Sequence, residues 1–134
     1  MRAFFLTGTD TDAGKTAVTA GLLLALSRLG TEAFAVKPVQ TGCTEKGGVP
    51  EAPDVAAWRA AGGRGEALFT FRVPCSPHLA ARLEGARLEV STLARACREC
   101  LSPGRVTLFE GAGGLYVPLN EEESMLDLMR ELHL

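Results

Sequence analysis

Gly8-Thr9-Asp10-Thr11-Asp12-Ala13-Gly14-Lys15-Thr16 lies between an apolar run, Ala3-Phe4-Phe5-Leu6, and a long apolar helix pattern from Ala17 to Leu29. Strand, glycine-bounded loop, Lys-Thr and helix, in that order, describe a phosphate-binding loop. The physics is direct. A helix N-terminus carries unpaired backbone N–H groups and a partial positive charge, on which a phosphate chain can sit. Gly14 lets the backbone approach the phosphates, and Lys15 adds a full charge near the outer ones. Thr16 offers a hydroxyl to the magnesium that accompanies a nucleotide.

Five residues separate Gly8 from Gly14, one more than the common form of this loop has. A chance Gly-Lys-Thr at a helix start is the plain alternative. The strand before it and the helix after it favour the loop, with ATP or a related nucleotide as ligand.

The chain has 134 residues, enough for a single domain around one core. Apolar residues make up 46% and the formal charge is −2, so no basic patch points to nucleic acid. No apolar run reaches the ~18 residues of a membrane span. The N-terminus enters a strand at once, without the charged and apolar regions of a signal peptide, so the expected location is cytoplasmic. Four cysteines are present, and Cys97-Arg98-Glu99-Cys100 has the spacing of a redox or zinc half-motif. No second Cys/His pair completes a zinc site. The pair also falls late in a predicted helix, where no helix N-terminus lowers a thiol pKa, so ordinary thiols are expected.

Along the chain, residues 2–7 read as a buried strand and Lys15 to Leu29 as a helix, its apolar pattern running through Val18, Leu22, Ala25, Leu26 and Leu29, widened by Leu23 and Leu24 and stopped by Gly30. Glu32 to Val36 reads as a second strand, closed by Lys37-Pro38. A lysine at that point lies where open α/β sheets bind ligands. Pro38-Val39-Gln40-Thr41-Gly42 follows as a rigid turn at the same edge. Residues 43–52 read as a mobile surface loop. A short helix is expected from Asp54 to Ala61, an extended segment from Leu68 to Val73, and a helix from Ser76-Pro77 to about Glu84. Read without context, Asp54 is an N-cap and His78 structural.

A helix from Ser91 or Thr92 to about Leu101 precedes Arg105 to Glu110, a buried strand tipped by a carboxylate. Gly111-Ala112-Gly113-Gly114 comes next. A strand-end acid in a phosphate-loop protein commonly helps to hold magnesium, and glycines let backbone N–H groups approach a ligand. The last helix is expected from about Ser124 to Leu132. Strands alternating with helices predict an α/β, phosphate-loop-type three-layer sandwich with a mainly parallel sheet.

Five segments together resemble dethiobiotin synthetase, a biotin-pathway family of the phosphate-loop class. They are Thr7 to Thr16, Lys37-Pro38-Val39-Gln40-Thr41-Gly42, Pro53-Asp54, Ser76-Pro77-His78 and Glu110-Gly111-Ala112-Gly113-Gly114. The long loop spacing is that family's own. The likeness runs along the whole chain, which matches the N-terminal part of the family's usual length.

The resemblance implies ATP-dependent ring closure of 7,8-diaminopelargonate with carbon dioxide, giving dethiobiotin, ADP and phosphate. It implies catalytic roles for Lys15 and Lys37. Nucleotide would contact Asp12, Ala13, Gly14, Lys15, Thr16, Glu110 and Gly113. The diamine and carbamate would contact Thr11, Asp12, Lys37, Thr41, Gly111, Ala112 and Gly113. Magnesium would be held by Thr16, Asp54 and Glu110, which lifts Asp54 above an N-cap. A homodimer is implied as well.

Two other classes compete. A partitioning or targeting ATPase switch shares this fold, but its loop carries an extra lysine soon after the first glycine, where Thr9, Asp10 and Thr11 stand here. A catalytically incomplete ATP-binding fragment would keep the loop and lack a full substrate site. The alternating pattern also calls for one more parallel strand after the helix ending at Leu132-His133-Leu134. Without it the first strand would have a free edge, so the expectation is a fragment, or a chain completed by another through that edge.

Overall fold

Four apolar segments form one parallel sheet in the computed structural model, which describes residues 2–134. The first strand, β1 (Arg2–Leu6), leads through the loop into α1 (Lys15–Arg28). Strand β2 (Ala33–Gln40) is followed by a hairpin, β3 (Thr44–Lys46) and β4 (Val49–Glu51), and by α2 (Pro53–Ala60). Strand β5 (Gly65–Thr70), α3 (Pro77–Leu83), α4 (Val90–Glu99), β6 (Val106–Glu110) and α5 (Met125–Leu132) complete the chain. The sheet order is β1-β6-β2-β5, so the acid-tipped strand lies between the first two. Parallel register pairs Leu6 with Glu110 and Val36 with Phe109.

Side chains alternate across the central strands, and helices cover both faces. Ala35, Val106 and Leu108 pack with Leu23 of α1 and with Val55 and Trp58 of α2. On the other face Val36 and Phe109 pack with Cys97 of α4. Leu93, Ala94, Met125 and Leu128 of α4 and α5 extend that layer. Each fully buried side chain such as Leu108 or Phe109 contributes about 1.5–3 kcal/mol. This is the expected three-layer α/β sandwich.

Several local expectations change. Strand β2 does not close at Lys37-Pro38 but runs on to Gln40. Its pairing with β6 ends at Val36, so Pro38 lies where β2 has a neighbour on one side only. A proline costs little there, because an edge position needs no N–H donor. Residues 43–52, expected to be a mobile loop, hold the antiparallel β3–β4 hairpin, turned by Gly47 and Gly48 at positive φ. Strand β5 begins three residues before the expected Leu68.

Helix α1 is buried along Lys15, Thr19 and Leu23, while Val18, Leu22 and Leu29 are exposed. Its apolar pattern covers more than one face, and of the expected apolar positions Leu23 is buried and Leu26 packs against the core. Phe4 of β1 is also exposed, at 56%. Among the described residues, β1 has β6 on one side and nothing on the other. No helix of the described residues is long and apolar enough to cross a membrane.

Candidate functional site

Parallel strands place their carboxyl ends at one edge of the sheet, and a cavity of about 720 Å³ opens there. Thr11, Asp12, Gly14, Lys15 and Thr16 line it from the loop after β1, and Lys37 and Thr41 from β2 and its turn. Asp54 of α2, Glu110 of β6, and Ala112 and Gly113 beyond it supply the rest of the expected wall. Two expected residues are not on it. Ala13 is exposed on the loop between Asp12 and Gly14, without lining the cavity itself. Gly111 continues the β1–β6 ladder, its amide donating to the Leu6 carbonyl at 2.9 Å, and a Cβ there would meet the Phe5 ring at 3.1 Å.

Lys37 does not reach solvent. It is 4% exposed, and its ammonium lies 2.5 Å from Asp54 Oδ2 and 2.9 Å from Glu110 Oε1. It also donates to the Gly111 carbonyl at 3.1 Å. Glu110 is 0% exposed and Asp54 22%. Thr16 Oγ1 lies 2.9 Å from Glu110 Oε1 and 3.1 Å from Asp54 Oδ1, so its single proton serves one carboxylate at a time.

A buried ammonium between two carboxylates, with a hydroxyl facing both, is a cation-binding arrangement already holding a cation. Two carboxylates and a hydroxyl are hard oxygen donors, a set suited to magnesium that keeps water or phosphate as its other ligands. Among the described residues no group of three or more His, Cys, Asp or Glu side chains is placed to hold a metal. The hydroxyl and the phosphates would therefore have to complete the set.

Gly14 precedes α1 at φ +101, a conformation that strains any residue with a Cβ. No side chain caps this helix, which leaves its first N–H groups to a ligand. The Lys15 ammonium is folded back onto the Asp10 carbonyl at 2.8 Å. Its pKa is lowered, first by burial and next by the charge of Lys37. Both causes make an anion welcome beside it. Gly114 presses the glycine-rich segment onto the loop, since a Cβ there would stand 2.7 Å from the Thr9 carbonyl oxygen.

Three neighbours of the cluster were not expected as site residues, though Gln40 lies in the Pro38–Gly42 segment already read at this edge. Gln40 accepts the Asp54 amide at 3.3 Å and lies on the cavity wall. Thr19 and Trp58 stand behind Glu110, with Thr19 Oγ1 2.5 Å and Trp58 Nε1 3.2 Å from Oε2. A signal existed for both. Thr19 is one helical turn beyond Lys15 and Thr16, and Trp58 one turn beyond Asp54, so each shares a face with a site residue.

Cys97 and Cys100 lie away from this edge, at the end of α4. Burial, then the neighbouring Cys100, pushes the Cys97 thiol up to about 12. Burial, then Glu66, raises Cys100 to about 11. At pH 8 the thiolate fraction at Cys100 is then roughly 0.1%. In the native chain both should resist iodoacetamide at pH 8 and react only on denaturation. Prompt native labelling of the pair would contradict this. The stability from keeping these thiols neutral is complete below the ordinary value of 9.0 and is lost as pH rises through about 11 and 12.

Parallel sheet, glycine-bounded loop, and Lys-Thr at a helix start facing a strand-end acid define a phosphate-loop nucleotide-binding protein. The chain belongs to the AAA domain family, whose model matches residues 2–134. It is 38% identical over 138 residues to the ATP-dependent dethiobiotin synthetase BioD of Halalkalibacterium halodurans, covering 99% of this chain and 57% of that one. It is 41% identical over 145 residues to the protein of the same name from Pseudomonas aeruginosa, covering 100% of this chain and 61% of that one. The Anoxybacillus flavithermus protein of that name matches at 37% over 135 residues, covering 98% of this chain and 61% of its own length. The resemblance carried by five short segments thus extends along the whole chain. The chain spans about three-fifths of the length of these relatives.

Proposed function

We propose that this chain binds magnesium–ATP and forms the phosphate-handling part of a cytoplasmic dethiobiotin synthetase. The reaction is ring closure of 7,8-diaminopelargonate with carbon dioxide or bicarbonate, giving dethiobiotin, ADP and phosphate. One observation carries the reading. Lys15, Thr16, Lys37, Asp54 and Glu110, from four separate segments, meet at the phosphate loop inside one cavity.

The chemistry explains why two lysines are needed. A substrate amine captures carbon dioxide as a carbamate. The carbamate oxygen attacks the terminal phosphate, and the second amine then displaces phosphate to close the ring. These steps bring anions together, so placed positive charge matters more than acid–base catalysis. Lys15 neutralises the outer phosphates, and Lys37 turns from its carboxylates towards the carbamate and the transferring group. Thr11, Asp12 and Thr41, with Ala112 and Gly113, orient the diamine. Thr16, Asp54 and Glu110 hold magnesium, which supplies further charge neutralisation at the phosphates.

The reading includes self-association. The edge of β1 left unpaired among the described residues, and exposed apolar side chains such as Phe4 on that strand, offer surface that a second copy can cover. The test is light scattering with intact mass, followed by assay of dethiobiotin from diamine, bicarbonate and magnesium–ATP. A dimer that forms product only with all three is expected. A well-behaved monomer making product unaided would overturn the association. ATP bound without product would mean that the chemistry needs residues this chain does not contain. Turnover indifferent to the diamine would favour an ATPase switch.

A further inference from the structure

The two oxygens of Glu110 have different surroundings. Oε1 faces the cavity side, with Thr16 Oγ1 and Lys37 Nζ each at 2.9 Å. Oε2 faces the interior, where it meets the Thr19 hydroxyl at 2.5 Å and accepts from the Trp58 indole at 3.2 Å. Thr19 and Trp58 have no exposed surface, and neither lines the cavity. They approach from different helices, α1 and α2. The same helical turns that bring Thr16 and Asp54 to the front of Glu110 therefore bring Thr19 and Trp58 behind it.

We propose that Thr19 and Trp58 are positioning residues that restrict Glu110 to offering one oxygen, Oε1, to a divalent cation, and so favour magnesium over calcium. This rests on the magnesium site proposed above. Magnesium takes a small, near-octahedral shell and uses one or two carboxylates beside its waters and phosphates. Calcium takes more oxygens at longer distances and readily accepts both oxygens of one carboxylate. For Glu110 to chelate, its carboxylate must turn Oε2 out of the interior. That turn breaks both hydrogen bonds and leaves a buried indole N–H without its acceptor. The Thr19 hydroxyl has the Lys15 carbonyl at 2.9 Å in reserve, which makes Trp58 the stronger of the two restraints.

The test titrates Mg2+ and Ca2+ separately into the full chain with a non-hydrolysable ATP analogue, by calorimetry. Loss of partners behind a metal ligand typically costs about 10–100-fold in metal affinity. Trp58→Phe with Thr19→Val should lose magnesium affinity on that scale and calcium affinity less, so that the preference shrinks. Thr19→Ser keeps a hydroxyl and should retain the wild-type preference. An unchanged magnesium-to-calcium ratio in the double variant would overturn the proposal, as would equal losses for both ions.

A second readout needs no ligand. The chain has one tryptophan, so its NMR spectrum contains a single indole N–H resonance. Glu110→Gln should move that resonance in the unliganded protein, and Thr19→Val should move it less. A resonance indifferent to Glu110→Gln would sink the restraint itself. Wild-type protein that binds neither ion with the nucleotide would remove the magnesium site and the selectivity together, while the indole resonance would still report whether Glu110 is held.

Discussion

Lys37→Gln is expected to depress turnover about 10²–10³-fold, the scale on which single transition-state charge contacts act, while ATP affinity changes only several-fold. Lys37 Nζ, from within β2, lies among Asp54, Glu110 and the Gly111 carbonyl, beside the loop proposed to take the phosphates. On the proposed reading its role would belong to the transferring group more than to the bound nucleotide. Equal losses in turnover and binding would make it a general phosphate clamp, and intact turnover would remove it from the chemistry.

The substitution has a second signature. It leaves the fully buried Glu110 without its ammonium, and breaking a buried pair in this way costs about 3–5 kcal/mol. Thermal unfolding should show that loss, and magnesium should recover part of it by restoring positive charge between the carboxylates. A variant as stable as wild type without magnesium would mean that the pair contributes little.

Lys15→Ala should weaken magnesium–ATP binding by about 10–100-fold, corresponding to the roughly 1.5–3 kcal/mol of a hydrogen bond to a charged group. The fold should survive. Among the described residues the lysine's ammonium donates to the Asp10 carbonyl in the loop, and both burial and Lys37 already disfavour its charge. Removing a cation that the unliganded site holds at a cost leaves the core untouched. Equilibrium titration with a fluorescent ATP analogue measures the loss. Unchanged affinity would show that phosphate does not sit where the loop directs it.

The pieces of the site that were legible in the sequence are those in which chemistry and local structure coincide. Gly14-Lys15-Thr16 is readable because strand, loop and helix start are contiguous. Glu110 is readable because an acid ends an apolar run and glycines follow. Asp54 needed the family resemblance, since at the first turn of a helix a carboxylate also serves as a cap. The family resemblance implied a substrate contact for Gly111, as part of the Gly111–Gly114 loop. Its amide is instead used by the sheet, a fact that depends on the register with β1.

Helix α1 shows the same limit from another side. A sequence rich in leucine on several faces does not say which face the sheet will take. The buried stripe proved to contain Lys15 and Thr19, two polar residues drawn inward by Glu110 and the loop. Val18 and Leu22, with greater hydrophobicity, were left outside. Polar partners at fixed positions hold Lys15 and Thr19 on the buried face of a helix whose hydrophobicity is spread over several faces.

The amino-acid sequence by itself determined the alternation of strands and helices, the phosphate loop, the acid at the strand tip and hence the three-layer α/β class. Those follow from apolar runs, glycine and proline stops and helix-start chemistry, all of which act within a few residues. Only the tertiary structure decided that β6 enters between β1 and β2 and carries Glu110 to Thr16 and Lys37. It alone brought Thr19 and Trp58 behind that carboxylate. The reason is physical: strand order and helix rotation are set by contacts between segments tens of residues apart, whose energies no local pattern records.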